Sequence, residues 1–269
     1  QFLYTINQED ELLRIVDFWQ PIPEGGKPQQ SEHFIIGSEY WISEGNIFSV
    51  EAYVKDYSNI YDLNPKVEGS DIEGTIALSG IGRSYGLELM YRLKKDKISG
   101  WISYAYSRIK REVDLNSDGI IWQSKEIYPA KYDKPHSFNS VLSYQLSEKH
   151  EIGLSTIFSS GQTYTPVVGK VHQAGSQSYG SLENPYHYFG NIYGGRNSGR
   201  YPNYFRIDLS LTRKSNLWGL TGKWKFQIIN LTNHYNVLLY NWNHEASPSQ
   251  VLAYSMFPIL VTFGWEFNI

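Results

Sequence analysis

The sequence predicts an all-β protein: a transmembrane antiparallel β-barrel, or a portion of one. Three observations predict it. Hydrophobic residues alternate with period two along most of the chain, connections alternate between short and long, and aromatics abound without any long apolar run. The 269 residues include 22 Tyr, 12 Phe and 8 Trp, and the mean hydropathy is −0.42. An aromatic content of 16% excludes a disordered chain. A membrane helix needs about 18 or more consecutive apolar residues. The longest run here is the six residues Met256–Val261, so no helix spans. Lys and Arg number 24 against 27 Asp and Glu, and this net charge of −3 lacks the basic excess of a nucleic-acid binder. There is no cysteine, hence no disulfide framework and no thiolate metal site. The start, QFLYTINQED, has neither a basic n-region nor an apolar h-region, and it opens on Gln rather than Met. The expectation is a processed chain or a fragment.

Nine full strands are expected, at roughly 32–42, 46–61, 83–94, 97–111, 136–147, 150–161, 203–214, 221–240 and 252–269. Residues 1–7 read as the stump of a tenth. In the second strand Phe48, Val50, Ala52 and Val54 alternate with Ser49, Glu51, Tyr53 and Lys55. In the third, Tyr85, Leu87, Leu89, Tyr91 and Leu93 share one face. Phe138, Leu142, Tyr144 and Leu146 do so in the fifth, and Phe205, Ile207, Leu209 and Leu211 in the seventh. The last strand puts Ile259, Val261, Phe263, Trp265, Phe267 and Ile269 on one face and Thr262, Gly264, Glu266 and Asn268 on the other. Tight polar turns fall at Ser43–Asn46, Lys94–Lys97, Ser147–His150 and Lys214–Trp218. Long segments fall near Gln8–Ser31, Asp62–Gly82, Glu112–Lys134, Gln162–Tyr201 and Asn241–Val251.

Strands of about 10 residues or more, with short turns at one end and long loops at the other, mark an outer-membrane barrel. In hydrocarbon every backbone N–H and C=O needs a partner, so only a closed sheet can span. The apolar row then faces lipid. Glu51, Lys55, Glu88, Arg92, Arg206 and Asp208 fall in the other row, facing a wet lumen. Tyr40, Trp41, Tyr104, Tyr106, Tyr144, Trp218, Trp224 and Trp265 fit interfacial girdles. A soluble β-sandwich also alternates, but its strands are shorter, with a mode of about 5–6 residues. Long loops are extracellular and short turns periplasmic in this barrel class, which puts the C-terminus in the periplasm.

Residues 128–166, YPAKYDKPHSFNSVLSYQLSEKHEIGLSTIFSSGQTYTP, resemble the late barrel of TonB-dependent outer-membrane receptors. So do YPNYFRIDLSLTRK (201–214), GKWKFQIINLTNHYNV (222–237) and FPILVTFGWEFNI (257–269). GRSYGLELMYRLKKDKISGWISYAYSRIKRE (82–112) is similar to the same family, most of all to its Bacteroidota-type members. The resemblance covers the chain from about residue 32 onward. It implies the C-terminal part of a barrel of about 22 strands, nine or ten of them here, with the plug domain outside this chain. It further implies partners: the remaining strands and plug on the same or another chain, the TonB–ExbB–ExbD complex, and membrane lipid. Phe263, Trp265, Phe267 and Ile269 resemble the β-signal read by the barrel-assembly machinery, although Ile269 stands where an aromatic is usual. The function implied is uptake of a nutrient (siderophore, glycan or peptide) across the outer membrane of a Gram-negative bacterium, without enzyme activity. Two alternatives stay open: a receptor-like scaffold in a larger complex with a surface lipoprotein, and a self-contained ten-stranded barrel such as a protease or porin.

Candidate chemistry is sparse. Asp114, Asn116 and Asp118 in DLNSDG have calcium-loop spacing, but the twelfth position is Lys125 rather than Glu. A polar loop with Asx turns is the favoured reading, and no cofactor is expected. His234 and His244 flank one loop hairpin. Asp208, His136 and Ser137 can be drawn as a triad, but no nucleophile elbow supports it. The candidate ligand-binding residues are Tyr164, Tyr186, His187, Tyr188, Phe189, Tyr193 and Arg196, with Trp122 and Trp242 in other loops. Tyr and Trp offer rigid amphipathic contact area with little entropy loss.

Overall fold

The computed structural model describes residues 2–4, 18–20, 22, 26–62, 78–114, 125–174, 187–217, 219–243, 246 and 250–267. Nine strands form one antiparallel path: β1 (Gln30–Ser43), β2 (Asn46–Asp62), β3 (Leu78–Lys95), β4 (Ile98–Asp114), β5 (His136–Gln145), β6 (His150–Ser159), β7 (Tyr204–Leu217), β8 (Leu220–Ile229) and β9 (Leu260–Phe267). Each pairs with its neighbour in sequence, and a short strand, Lys125–Pro129, adds to β4 beyond β5. The sheet does not close on itself, and β1 and β9 are its two ends.

Turn chemistry explains the short connections. Gly45 and Gly219 sit at φ 78° and Asp96 at φ 49°. Two-residue hairpins favour positive φ because such turns match the twist of the flanking strands. Asn46 adds a side-chain seal: its Nδ2 donates to Ser43 Oγ (2.7 Å) and Lys94 O (3.2 Å), and its Oδ1 accepts from Lys94 N (3.3 Å).

Register sorts the side chains into two faces. One row runs Ile36, Ala52, Leu87, Tyr106, and the next runs Ser38, Val50, Leu89, Tyr104, Phe138, Phe158, Phe205. A third runs Leu142, Leu154, Leu209, Ile228, Val261. The opposite face carries Glu51, Lys55, Glu88, Arg92, Arg206 and Asp208, as the alternation predicts. Beyond the apolar rows, at the long-loop end, the same face turns charged: Glu32, Asp56, Arg83 and Lys110 lie side by side, and Arg83 Nε bonds Asp56 Oδ1 at 2.6 Å.

Burial decides between barrel wall and soluble sandwich. Phe34 is 65% exposed, Ile36 76% and Phe263 68%. Among the described residues the buried apolar side chains are few (Ile60, Tyr61, Val113, Tyr128, Ala130 and Val167), and all lie toward the long loops. A sandwich would bury one face of each sheet against the other. This sheet leaves its apolar face bare, an extent that marks a membrane or partner surface.

Five expectations need correction. Phe2–Tyr4 pair with Phe18–Gln20 in a separate ribbon, not with the main sheet. The strand expected at 221–240 ends at Ile229. Asn230 (φ 55°) and Asn233 (φ 49°) turn the chain, and Val237–Asn243 pair with Gln250–Ser255 as a separate hairpin. The strand expected at 252–269 is split likewise, around Pro258, which lacks the N–H a ladder needs. Within Gln162–Tyr201, read as loop, Val167–Ala174 pair with His187–Tyr193. The turn expected at Lys214–Trp218 also falls later, because β7 runs on to Leu217.

Leu154→Arg, on the apolar face, is expected to cost about 2–4 kcal/mol in lipid. Its neighbour Ser155→Arg, on the polar face, should cost less than about 1 kcal/mol. Urea titration of the barrel in lipid vesicles measures both, and equal costs would contradict the face assignment. The assembled barrel should also migrate faster on a gel unheated than boiled.

Candidate functional site at the long-loop rim

Where β4 leaves the apolar band its partner changes. Residues Tyr106 and below pair with β5, and residues Lys110–Asp114 pair with Lys125–Pro129. The segment 130–135 crosses the gap and keeps the ladder satisfied. Ala130 N donates to Ile109 O (3.0 Å), Ser107 N to Pro135 O (3.0 Å), and Ile109 N to the Asp133 carboxylate (2.8 Å). A side chain here replaces a missing strand carbonyl.

Asp133 is fully buried, so its charge needs partners. Arg200 Nη2 binds its Oδ2 at 2.7 Å, and Arg108 Nε lies 3.4 Å from Oδ1. Arg200 Nη1 also donates to the carbonyls of Asp133 and Gly161. A Cβ on Gly161 would fall 1.7 Å from Tyr201 O, so only glycine allows this approach. Thr163 Oγ1 shares its proton between Ala130 O (2.8 Å) and Lys131 O (3.0 Å). Asn197 Nδ2 donates to Pro129 O at 2.9 Å. Three segments, 126–135, 160–166 and 196–202, are thereby tied into one block on top of the sheet.

The block carries an aromatic cluster. Tyr164 and Tyr201 ring centroids are 4.5 Å apart, Tyr201 and Tyr240 5.0 Å, and Tyr164 and Tyr240 5.5 Å. Burial pushes the Tyr164 hydroxyl above the usual phenol range, and neighbouring Tyr240 adds to this. All three rings are half-buried. Nearby, the Arg196 guanidinium sits 4.8 Å over the Tyr128 ring, with Nε 3.4 Å from Glu126. A second seal lies at the foot of the 237–255 hairpin. Phe205 N donates to Asn236 Oδ1 (2.8 Å), and Asn236 Nδ2 donates back to Phe205 O (2.9 Å). Asn230 Nδ2 reaches His234 O (3.0 Å) and Phe257 O (3.3 Å), and Asn230 N donates to Asp208 Oδ1 (2.9 Å).

Residues 17–233 match the family described as "TonB dependent receptor-like, beta-barrel". The chain belongs to the TonB-dependent receptor-like β-barrel family. Its sheet is thus wall of an outer-membrane transporter barrel, in a family whose members work with a plug domain and TonB and are transporters rather than enzymes. No curated protein and no solved structure matches the chain.

Of the expected ligand residues, Tyr164 and Arg196 belong to the rim block. Tyr193 is half-buried at the foot of the 167–193 ribbon, opposite Val167, and Trp242 is half-buried in the 237–255 hairpin. His187, Tyr188 and Phe189 lie on the ribbon strand, with side chains outside the description; Tyr186 and Trp122 lie outside the described residues altogether. Asp114 ends β4 opposite Lys125, whereas Asn116 and Asp118 lie outside the described residues. Among the described residues no three His, Cys, Asp or Glu gather as a metal would require. His244 and Ile269 also lie outside. The drawn triad is broken by register: His136 shares the apolar face with Tyr106, whereas Ser137 and Asp208 lie on the other face. Sequence reasoning passed over Asp133, Arg200, Tyr201 and Tyr240. Asp133 and Tyr201 do stand in the motifs that carry the family resemblance.

Asp133→Ala is expected to destabilise the barrel by about 3 kcal/mol, because it removes the counter-charge of two guanidinium groups and leaves the Ile109 N–H without its acceptor. The value sits low in the usual range since both arginines are about a third exposed. Urea unfolding of wild type and variant in lipid measures it.

Proposed function

We propose that this chain captures a nutrient at its long-loop rim and passes it inward through the barrel. The Tyr164–Tyr201–Tyr240 cluster carries the reading. Tyr164 and Tyr201, fixed to the sheet through the Asp133–Arg200 pair, and Tyr240, on the hairpin sealed by Asn236, give a rigid amphipathic platform, which loses little entropy on binding. Tyrosine faces stack on sugar rings, peptide planes and aromatic chelators alike, so the ligand class is a siderophore, glycan or peptide. Arg196, held over Tyr128, adds a cation beside the platform. Tyr193 and Trp242 are assigned to ligand contact as well, and so, on residue type alone, are Trp122, Tyr186, His187, Tyr188 and Phe189.

In this reading the long-loop end is extracellular and the short turns and C-terminus are periplasmic, as in other barrels of this kind. Ligand binding loosens the plug, and TonB with ExbB and ExbD draws on it with the work of the proton-motive force. Phe263, Trp265 and Phe267 serve barrel assembly. Phe263 and Trp265 stack on Trp224 and Phe267 packs against Trp265, with centroids 5.1–5.4 Å apart.

Uptake of candidate nutrients by cells carrying the complete receptor tests this, with and without a proton uncoupler. Tyr201→Ala with Tyr240→Ala should weaken binding about tenfold or more. The uncoupler should abolish accumulation and leave binding intact. Uptake that ignores both the variant and the uncoupler would refute the reading, and binding without energy-dependent uptake would favour the scaffold alternative.

A further inference from the structure

On the polar face, at the short-turn end, register gathers four lysines. Lys214 on β7 lies directly opposite Lys223 on β8. Lys225 lies one row further in, opposite Thr212. Lys149 belongs to the β5–β6 turn, and its carbonyl accepts the Lys214 N–H at 2.9 Å. Together they line a groove of about 350 Å³ over Ser210 and Thr212, with Glu151 as the single carboxylate in the lining. Glu151 accepts a hydrogen bond from Ser143 Oγ (2.6 Å), and Lys223 is paired with Glu266 (3.1 Å). Lys149, Lys214 and Lys225 have no ion-pair partner among the described residues.

Like charges directly opposite on paired strands destabilise a sheet. Four lysines against Glu151 and Glu266 therefore leave the groove short of negative charge. Lipid cannot bring it, because these lysines share the face of Arg206 and Asp208, while Leu209, Leu211 and Phe226 hold the other. The basic field is also local. Across the sheet, β1–β3 carry mixed charge on the same face, with Glu39, Glu51 and Glu88 alongside Lys55, Arg92 and Lys94. A local basic site in a wall of otherwise mixed charge favours a complementary acidic patch on whatever fills the lumen.

We propose that the lysine groove of β6–β8 is the seat of an acidic, Asp- or Glu-bearing surface of the domain that fills the barrel lumen. This rests on the transporter reading. The occupant's carboxylates meet Lys149, Lys214 and Lys225 at the short-turn end.

Carbodiimide treatment of the complete receptor tests it, since this reagent joins a lysine amine to a carboxylate in direct contact with loss of water. Mass spectrometry should find Lys214 or Lys225 linked to an Asp or Glu outside residues 1–269. Lys214→Arg with Lys225→Arg should abolish those links and keep the lumen domain protected from protease. Lys214→Glu with Lys225→Glu should speed its cleavage about tenfold or more. Heat-modifiable migration shows that the reversed variant has folded; if it has not, the arginine variant and the wild-type links decide alone. Links confined to residues 1–269, or cleavage unchanged by charge reversal, overturn the proposal. If a lumen domain is recovered but not linked to these lysines, the groove assignment alone fails. If the complete protein conducts as an open pore with no lumen domain, the transporter reading fails with it.

Discussion

Backbone hydrogen bonding in a medium without water is the constraint on which the rest depends. Each unsatisfied N–H or C=O in hydrocarbon costs several kcal/mol, so the ladder cannot lapse where strands change partners. This chain keeps it whole with side chains. Asp133 stands in for a carbonyl at Ile109, Asn236 for a whole residue at Phe205, and Asn46 does the same at Lys94. All of these seals sit where a strand partner ends or turns away. They are short Asx side chains, which reach a neighbouring backbone without displacing it, as the Ser160 and Thr163 hydroxyls also do at the rim.

The same constraint ties wall to rim. The carboxylate that completes the β4 ladder is also the anchor of Arg200, and Arg200 holds the segments that carry Tyr164 and Tyr201. A sheet built to satisfy lipid thus ends in a platform presented to solvent. Its rigidity follows from an ion pair between the buried Asp133 and the half-buried Arg200, 67 residues apart in the chain. Charge follows the faces as strictly as hydrophobicity does. The outward face is apolar until it meets the Glu32–Asp56–Arg83–Lys110 row, and the inward face carries the charges between, with lysines gathered at the short-turn end of β6–β8.

Much of this architecture was legible in residue order because period two is a local property. Glu51 and Lys55 could be placed on the lumen face from their neighbours alone. The Asn-rich stretch NLTNHYN misled, because Val237, Leu239 and Tyr254 continue an alternating pattern in a hairpin that has left the main sheet. Alternation reports that a strand has two different faces; it does not report which strand lies beside it.

Residue order by itself determined two faces, the first three short turns and the presence of nine strands, since each rests on spacing within about ten residues, and longer motifs carried the family. Tertiary structure alone decided that Asp133 faces Arg200, that Tyr164, Tyr201 and Tyr240 meet, and that Lys214 stands against Lys223. Those pairings depend on inter-strand register and on where each segment departs from the ladder, and no pattern inside one strand encodes either.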